Sequence, residues 1–480
     1  MNITSHLIFL LFSITAFSLS AQKTEWKTTI DSTNIFSSPR FVDLNNDSIP
    51  DVLFSGGLEG ENSPNGVNAI DGKTGEILWS YPSATQLYTS AQFEDITGDG
   101  VLDIFVGGRA ATFFALNGKT GQLIWEFWPA SKGDARKQGY LNFFSTQWIS
   151  DVDGDKIRDL LVMNAGDYLA SPEEKNRPTA QLMVLSSSKG QIIQRASIPE
   201  KRESYFAPQC YLNSEKEEMV IYGSGGETVD GSLWQTSLKN VLKGDITRSE
   251  LLLKNSSKGF ILNVLLNDAN KDGHPEIYAA NMDATLSAID GKTKSILWEK
   301  KFPGYECYVT PSFGQLTNDS IEDFITIIAK GNFPMYESFR LIAIDGLTGE
   351  IICDKDAGFN QFSPVITVDL DSNGIDEMIY IENDLIDPNS FLVINQLKVI
   401  DLSNNLDFYI GSKELGMSMA STPTITTFNN LNSSIIKAST KMPTNEKERH
   451  STTIERIELN KIYKETWGNF LGPNENGNND

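Results

Sequence analysis

Five short acidic segments of the chain place oxygen-bearing side chains at positions 1, 3, 5 and 9 and leave a backbone carbonyl free at position 7. Oxygens at this spacing within one turn can surround a hard cation that takes about six to eight oxygen ligands. The spacing predicts one calcium ion in each segment. The predicted ligands are Asp43, Asn45, Asp47, Ile49 and Asp51; Asp95, Thr97, Asp99, Val101 and Asp103; Asp151, Asp153, Asp155, Ile157 and Asp159; Asp268, Asn270, Asp272, His274 and Glu276; and Asp369, Asp371, Asn373, Ile375 and Glu377.

These segments differ from EF-hands, because position 12 falls in an apolar run and not on a bidentate Glu. Position 6 favours Gly for a sharp turn, so we expect strain where Ser48 and Lys156 occupy it. A sixth, poorer copy at residues 315–323 offers Gln315 and Thr317 in place of charged ligands. We expect the ions to be structural, since a divalent cation removes the repulsion among clustered carboxylates.

The acidic segments recur at intervals of about 50 residues, which is the period of a propeller blade. The long gap between the third and fourth segments contains an eroded copy at residues 207–223, whose ligand positions hold Cys210, Leu212 and Ser214. We expect no metal there. Residues 422–436 form another eroded copy, which brings the count to eight.

A second signature lies between the acidic segments. Asp71-Gly72 and Asn117-Gly118 each open a Gly-rich turn between apolar runs, and similar turns follow Asp290 and Asp345. Such dipeptides predict hairpins because they accept positive φ angles. Trp79, Trp125 and Trp298 end the second run at equivalent positions, so we expect them to pack between blades.

Each repeat therefore predicts four strands, a to d, with the acidic segment between a and b and the Gly-rich hairpin between c and d. The predicted fold is an all-β propeller of eight four-stranded blades, with seven blades as the alternative. Residues 22–467 form this single domain, and residues 468–480 form a polar tail. Residues 24–31 resemble the Trp end of strand d, which suggests that they close the ring.

Residues 1–21 resemble a secretory signal peptide, with an apolar run from Leu7 and a small-residue cleavage site at Ala21. We expect a secreted, extracellular or periplasmic protein that has no membrane span once this segment is removed. The three cysteines are too few for a disulfide framework and are expected in the core. The formal charge of −23 argues against a nucleic-acid partner.

Blade topology puts the acidic segments and Gly-rich hairpins on one face and all the long insertions on the opposite face. Long loops on a rigid scaffold commonly carry binding residues. We predict that this opposite face, called the loop face below, binds the ligand, with Lys132, Arg136 and Lys137 nearby. Its predicted contact residues are Trp128, Tyr140, Phe143, Tyr168, Tyr205, Phe206, Phe333 and Tyr336.

The acidic segments resemble the FG-GAP/VCBS calcium-repeat family, which occurs in integrin α-subunit propellers and bacterial secreted proteins. The segments that begin at Asp71 and Asn117 and end at Trp79 and Trp125 look like the tryptophan-docking repeats of quinoprotein propellers. The resemblance implies a propeller that binds calcium. Quinoprotein dehydrogenases hold their cofactor partly with adjacent cysteines, which this chain lacks.

The functional hypothesis is a secreted, calcium-binding, non-catalytic propeller that binds an extracellular protein or polysaccharide. The first alternative is a calcium-dependent polysaccharide lyase or hydrolase, by comparison with rhamnogalacturonan lyases of similar form. The second is a quinoprotein oxidoreductase. Few histidines are available for catalysis, since only His274 and His450 follow the predicted signal peptide.

Overall fold

The computed structural model describes residues 23–468 except residues 172, 173, 175, 256, 320, 334, 361, 388–391, 418–420, 429–431, 442, 444–448 and 464. The predicted signal peptide and residues 469–480 of the predicted tail lie outside the described residues. Among the described helices, none is long and apolar enough to cross a membrane.

Antiparallel strands form eight blades around one axis, which confirms the predicted eight-bladed propeller. Strand β1 spans Lys23–Asp31. Blade 1 contains β2 (Arg40–Val42), β3 (Asp51–Ser55), β4 (Ser63–Ile70) and β5 (Ile77–Ser83). Blade 2 contains β6 (Gln92–Glu94), β7 (Asp103–Gly107), β8 (Phe113–Leu116) and β9 (Leu123–Glu126). Blade 3 contains β10 (Asn142–Phe143), β11 (Gln147–Ile149), β12 (Asp159–Ala165), β13 (Gln181–Leu185) and β14 (Ile192–Ser197).

Blade 4 contains β15 (Gln209–Leu212), β16 (Glu218–Gly223), β17 (Gly231–Ser237) and β18 (Glu250–Asn255). Blade 5 contains β19 (Leu265–Asn267), β20 (Glu276–Ala280), β21 (Thr285–Ile289) and β22 (Ile296–Lys301). Blade 6 contains β23 (Tyr305–Cys307), β24 (Ser312–Gly314), β25 (Asp323–Asn332), β26 (Met335–Ile344) and β27 (Ile351–Asp356). Blade 7 contains β28 (Ile366–Val368), β29 (Glu377–Asp387), β30 (Leu392–Asp401) and β31 (Leu406–Met417). Blade 8 contains β32 (Thr424–Thr427), β33 (Ser433–Lys441), β34 (Ser451–Glu458) and β1.

The described helices are short and belong to connections. Two 3₁₀ helices, Ala130–Lys132 and Arg136–Gln138, lie in the insertion between blades 2 and 3. The α-helix Leu238–Leu242 (α1) replaces the c–d hairpin of blade 4 and packs on blade 3. The rest of the described fold is built from strands and turns.

Strand β1 closes the ring, as its sequence suggested. It pairs antiparallel with β34, from Lys23 opposite Glu458 to Asp31 opposite Ser451, and so supplies the outermost strand of blade 8. A later strand, β35 (Glu465–Trp467), pairs with the inner edge of β28 and therefore lies at the axis. Trp467 is fully buried there and packs against Phe313 of blade 6.

The core consists of clusters between neighbouring blades. Strand b of blades 1, 2, 3 and 5 contains a short apolar run, and β3 and β7 are buried along their whole length. Both faces of these strands are covered by adjacent blades, so the sequence does not alternate there. Strand d is the outer strand and is partly exposed, with Ile77 at 46%. Cys307 and Cys353 are buried, Cys210 is half-buried, and all three are free thiols.

The repeated tryptophans connect neighbouring blades, as predicted. The indole Nε1 of Trp79 donates a hydrogen bond to the Gly118 carbonyl of the next blade at 2.9 Å. Trp26, Trp125 and Trp298 make the same contact with Gly72, Ser187 and Gly346. The glycine that ends the receiving hairpin lies directly under the ring. At Gly121, an added Cβ would be 2.6 Å from the Trp79 ring.

A positive φ angle is the reason that the sequence predicts for the first glycine of each Gly-rich hairpin, and the structure shows that this reason is wrong. Gly118 does not have a positive φ; instead, an added Cβ there would lie 1.9 Å from the Leu102 carbonyl of the a–b loop. Gly72, Gly291 and Gly346 have equally close contacts with carbonyls of their own a–b loops. The positive φ occurs three residues later, where Gly121 has φ +68°. The first glycine is therefore required for close approach between hairpin and loop.

The contact between Gly121 and Trp79 predicts a large effect of Gly121→Ala. The variant places a side chain in an unfavourable left-handed backbone conformation and against the half-buried Trp79 ring, so it should lower the free energy of unfolding by about 3 kcal/mol. Gly139→Ala is the matched control, since Gly139 also has a positive φ, at +82°, but nothing lies within 4 Å of the added Cβ. The control should lose only about 1 kcal/mol. Denaturant unfolding measures both, and equal losses would contradict the docking contact.

Candidate functional site

The five predicted metal loops connect strands a and b of blades 1, 2, 3, 5 and 7, and they share one hydrogen-bond pattern. The position-6 backbone N–H donates to the position-1 carboxylate at 2.8–3.0 Å in all five loops. The position-7 N–H donates to the position-5 side chain at 2.7–3.0 Å. This shared conformation turns the acidic side chains toward the centre of each loop.

Position 6 adopts a left-handed backbone conformation in every one of these loops. Ser48 and Lys156 do so without being glycine, with φ angles of 66° and 75°. These two loops therefore carry the backbone strain that the sequence predicted. Position 7, whose backbone carbonyl is the predicted ligand, comes next in the chain and is occupied by Ile49, Val101, Ile157, His274 and Ile375. The His274 ring contacts Ser214 of blade 4 and takes no part in the loop's own hydrogen bonds.

In blades 1, 2, 3 and 6 the position-9 carboxylate joins the loop to the hairpin of the same blade. Asp51 accepts hydrogen bonds from Leu44 N at 2.9 Å and from Gly72 N at 3.0 Å. Asp103 and Asp323 make equivalent contacts with Gly118 and Gly346. Burial raises the pKa of Asp51 to about 6 and that of Glu377 to about 8. Each buried carboxylate thus pays a desolvation cost that a bound cation would offset.

The first residue of the c–d hairpin also reaches the loop, and the sequence reasoning did not include it. Asp71 accepts a hydrogen bond from Asn45 at 3.1 Å, and Asn117 donates to Asp99 at 2.9 Å. Ser186 donates to Asp153 at 2.9 Å. Asp401 lies with Asp371 and Glu377 in a group whose carboxylate oxygens are all within 4.8 Å of one another. The sequence contained one signal for this contact, because the hairpin recurs at the same place in several of the repeats.

Several features fit a hard cation. The side-chain donors of the five loops are oxygens, the set that calcium prefers. Asp151, Asp153 and Asp159 bring three carboxylate oxygens within 4.8 Å of one another. The Oδ1 atom of Asp43 is buried and has no hydrogen-bond partner in the described structure. Unpaired buried oxygens of this kind are costly without a cation.

In two blades a side chain of the protein donates hydrogen bonds into the acidic loop. In blade 3, Lys189 Nζ lies 2.9 Å from Asp153 and 3.4 Å from Asp155, and these contacts lower the pKa of Asp153. In blade 6, the side-chain amide of Gln315 donates to the carbonyls of Thr317 and Asp319 at 3.0 and 2.6 Å. The Gln315 amide thus makes hydrogen bonds to carbonyls that could otherwise face a cation.

The eroded repeat of blade 4 leaves a cavity of about 470 Å³ beside the blade 5 loop. Cys210, Leu212 and Ser214, which stand at its ligand positions, line the cavity. None of the three is a carboxylate. Only position 9 of this loop keeps a carboxylate, Glu218, which accepts a hydrogen bond from Ser150 Oγ at 2.9 Å. The absence of a metal from this loop stays a prediction.

On the loop face, Trp128, Tyr140 and Phe143 form one aromatic cluster around Phe127. The rings of Trp128 and Tyr140 are 4.9 Å apart, and Lys132 Nζ lies 5.3 Å from the Trp128 ring. Trp128 Nε1 donates to Gly133 at 2.7 Å. Phe143 and Phe206 are fully buried, so these two residues belong to the core and not to a contact surface. Only Trp128 and Tyr140 of the cluster remain within reach of a partner.

The other predicted loop-face residues stand at three separate places. Arg136 binds Asp167 through two nitrogens, at 2.8 and 2.6 Å, beside the half-buried Tyr168. Tyr205 packs against Phe144 at 5.7 Å. Phe333 and Tyr336 surround Tyr308, with ring centroids 5.0 and 6.3 Å from it.

Buried acids accompany two of these tyrosines. Glu203 accepts a hydrogen bond from Tyr205 at 3.1 Å and pairs with Arg177 at 3.4 Å. Glu306 accepts a bond from Tyr336 at 2.7 Å and pairs with Lys258. Burial raises the pKa of both tyrosines, which keeps their hydroxyls protonated. These groups are donors to carboxylates and poor general bases.

Comparison with known proteins identifies relatives by fold and by family. A search of curated protein sequences found no match. A europium-containing methanol dehydrogenase aligns with a TM-score of 0.53 and 9% identity over 91% of this chain and 93% of that one. A quinohemoprotein alcohol dehydrogenase from Pseudomonas putida HK5 has a TM-score of 0.53 and 12% identity, over 92% and 77% of the two chains. The exotype rhamnogalacturonan lyase YesX has a TM-score of 0.52 and 14% identity, over 91% and 73%.

At these identities the solved structures show a shared propeller fold and nothing about activity. The family comparison is more specific, because the FAM234A/B beta-propeller family matches residues 26–332, which run from the closing strand to the end of β25 in blade 6. The match covers more than half of the chain. The chain therefore belongs to the FAM234A/B beta-propeller family.

Proposed function

We propose that this chain is a secreted, calcium-stabilised propeller that binds an extracellular protein or polysaccharide through its loop face, without catalysis. The observation that carries the proposal is the shared geometry of the five acidic loops. The same hydrogen bonds orient the same oxygen donors in blades 1, 2, 3, 5 and 7. The resemblance of the acidic segments to FG-GAP/VCBS calcium repeats, and the signal peptide predicted at residues 1–21, support the same proposal.

In each loop the ion would be held by the side chains at positions 1, 3, 5 and 9 and by the carbonyl at position 7. The hairpin residues Asp71, Asn117, Ser186, Asp290 and Asp401 would add a further donor from the same blade. Such an ion would join the a–b loop to the c–d hairpin. Because extracellular calcium sites work at about 10⁻⁴ to 10⁻³ M, secretion is consistent with weak sites.

The loop face is the proposed binding surface because the insertions and their aromatic side chains lie there. Trp128 and Tyr140 offer a pair of half-buried rings with a lysine beside them. A calcium-dependent lyase or hydrolase is the alternative from another class. The closed ion pairs of Glu203 and Glu306 favour binding over catalysis. Unsaturated sugar products from pectic polymers would favour the alternative.

Removal of calcium should lower the melting temperature. With free calcium at about 2 mM and a Kd of about 10⁻⁴ M, five sites together stabilise the fold by about 9 kcal/mol. This corresponds to a fall of about 10 °C on addition of a chelator. Differential scanning calorimetry with and without EGTA measures the shift, and magnesium at the same concentration serves as the control ion. Identical melting in calcium and EGTA would contradict the proposal.

The hairpin residues allow a sharper test by charge removal. Asp401→Asn keeps an oxygen that can accept from Asn404 N but removes one charge from the blade 7 site, so it should weaken one calcium site about tenfold. Asp345→Asn is the matched control in blade 6, where Gln315 already donates into the loop. Calorimetric titration of both variants measures the change. Equal calcium affinities for Asp401→Asn and wild type would contradict the assignment of the hairpin residue as a calcium ligand.

Binding should depend on the aromatic pair of the loop face. Replacing Trp128 and Tyr140 together by Ala should abolish retention of the extracellular polysaccharide or protein that the wild-type chain binds on an array, because both rings are lost. Leu347→Ala is the control, since Leu347 is 60% exposed on a c–d hairpin of the opposite face. Its binding should equal wild type. Unchanged affinity of the double variant would contradict the assignment of this surface.

A further inference from the structure

Two rings of equivalent residues surround the axis on the loop face. They come from the segments that lead into the innermost strand of successive blades. The first ring is Phe36, Tyr88, Phe144, Tyr205 and Ile261, which are large and apolar or aromatic. The second ring consists of Ser38, Ser90, Ala207 and Asn263, each two residues after its first-ring neighbour, together with Ser145, which directly follows Phe144, and Thr310, which comes from a sixth segment. One ring offers apolar faces and the other offers mainly hydroxyl and amide groups.

These rings enclose a cavity of about 140 Å³. Ser38, Ser90 and Asn263 are buried, whereas Tyr88, Phe144 and Tyr205 are half-buried. The cavity therefore opens at its aromatic end, toward the loop face. None of the described residues that line it carries a formal charge. Nearby charges are paired, as Glu203 is with Arg177.

Two lining hydroxyls lack a hydrogen-bond partner in the described structure. Ser38 is only 3% exposed, and its Oγ has no partner, although its backbone N–H donates to Ser90 Oγ at 3.1 Å. The Tyr88 hydroxyl oxygen is also buried without a partner. Buried polar atoms are almost always paired, so each exception needs an explanation. Both hydroxyls can donate and accept, which suits a ligand that has hydroxyl groups of its own.

We propose that this axial cavity binds a single uncharged sugar residue, the end of a glycan chain. A sugar ring has apolar C–H faces that can lie against Tyr88, Phe144 or Tyr205, and hydroxyls that can pair with Ser38 and Tyr88. The volume suits one ring, and the neutral lining gives no compensation for a carboxylate or phosphate. This inference rests on the proposed binding function and narrows its partner to a neutral glycan.

The competing occupant is water. At about 30 Å³ per molecule, the cavity would hold four or five waters that could satisfy the same hydroxyls. The two occupants differ in their consequences. A hydroxyl that serves only water has no influence on sugar binding, whereas a hydroxyl that serves a sugar sets its affinity.

Saturation-transfer difference NMR on the full chain in calcium tests the proposal with D-glucose, D-galactose, L-rhamnose and N-acetyl-D-glucosamine as probes. At least one neutral sugar should bind with a Kd on the order of 1 mM or below. D-Glucuronate should bind at least about tenfold more weakly, because its carboxylate would be buried without a partner. No binding of any neutral sugar up to about 10 mM, or equal binding of glucuronate, would overturn the proposal.

Single-hydroxyl variants locate the site. Tyr88→Phe and Ser38→Ala should each weaken binding of the sugar about fivefold without lowering the melting temperature of the sugar-free chain, since neither hydroxyl has a partner among the described residues. Tyr211→Phe is the matched control. It removes a buried hydroxyl that donates to Gln235 at 3.0 Å, so it should lower the melting temperature and leave sugar affinity unchanged. Wild-type sugar affinity in both Tyr88→Phe and Ser38→Ala would overturn the axial site.

Failure of this inference can be separated from failure of the proposed function. If polysaccharide binding requires Trp128 and Tyr140, and Tyr88→Phe leaves sugar affinity unchanged, only the axial site is contradicted. A chain whose melting is indifferent to calcium and which retains no partner contradicts the proposed function as well.

Discussion

The buried carboxylate at position 9 of the acidic a–b loops is the contact on which the acidic face of the propeller depends. It accepts hydrogen bonds from the loop and, in blades 1, 2, 3 and 6, also from the hairpin of the same blade, as Asp51 does from Leu44 and Gly72. The carboxylate is desolvated and lies beside further acids, so the same contact that joins two turns also concentrates negative charge. A cation bound in the loop relieves that conflict, because it makes charged oxygens favourable where they are otherwise repelled.

The tryptophan contacts link the loop and hairpin of one blade to the neighbouring blade. Each docked indole donates to the hairpin of the next blade, and that hairpin also contacts its own acidic loop. Stabilising one loop thus supports the surface on which the neighbouring tryptophan packs. Where the tryptophan is absent, other donors appear: in blade 5, Lys294 donates to the carbonyl of Gly291 within the same hairpin. In the part of the chain that the structure describes, these contacts lie on the acidic face, whereas the long insertions lie on the loop face.

Much of the fold could be predicted from the sequence because the repeat is spaced regularly and its apolar runs are clear. The eight blades, the closing role of β1 and the packing of Trp79, Trp125 and Trp298 followed from that spacing. The axial strand at Glu465–Trp467 did not, since a three-residue strand outside the repeat has no periodic signal. The first hairpin glycine was assigned to a positive φ, whereas its reason is a carbonyl of the a–b loop, a contact distant in sequence.

The candidate sites show the same limit. Ligands within one loop could be predicted because their spacing is local, but Asp401 could not, because it reaches Asp371 and Glu377 only when hairpin and loop meet. Phe143 was assigned to the surface from its place in an insertion, yet the insertion folds back and buries it. The residues of the two axial rings come from six segments that are distant in sequence and meet only when the propeller closes. Contacts that depend on closure have no signature within a single repeat.

The central claim, that the acidic loops hold calcium, is tested most directly by anomalous diffraction from crystals grown in calcium. The account predicts an anomalous peak inside each of the loops of blades 1, 2, 3, 5 and 7, surrounded by oxygens at about 2.3–2.6 Å. It predicts no peak in the blade 4 repeat, where positions 1, 3 and 5 hold no charged side chain. Loops without anomalous density, with their carboxylates bonded only to backbone N–H groups, would contradict the claim.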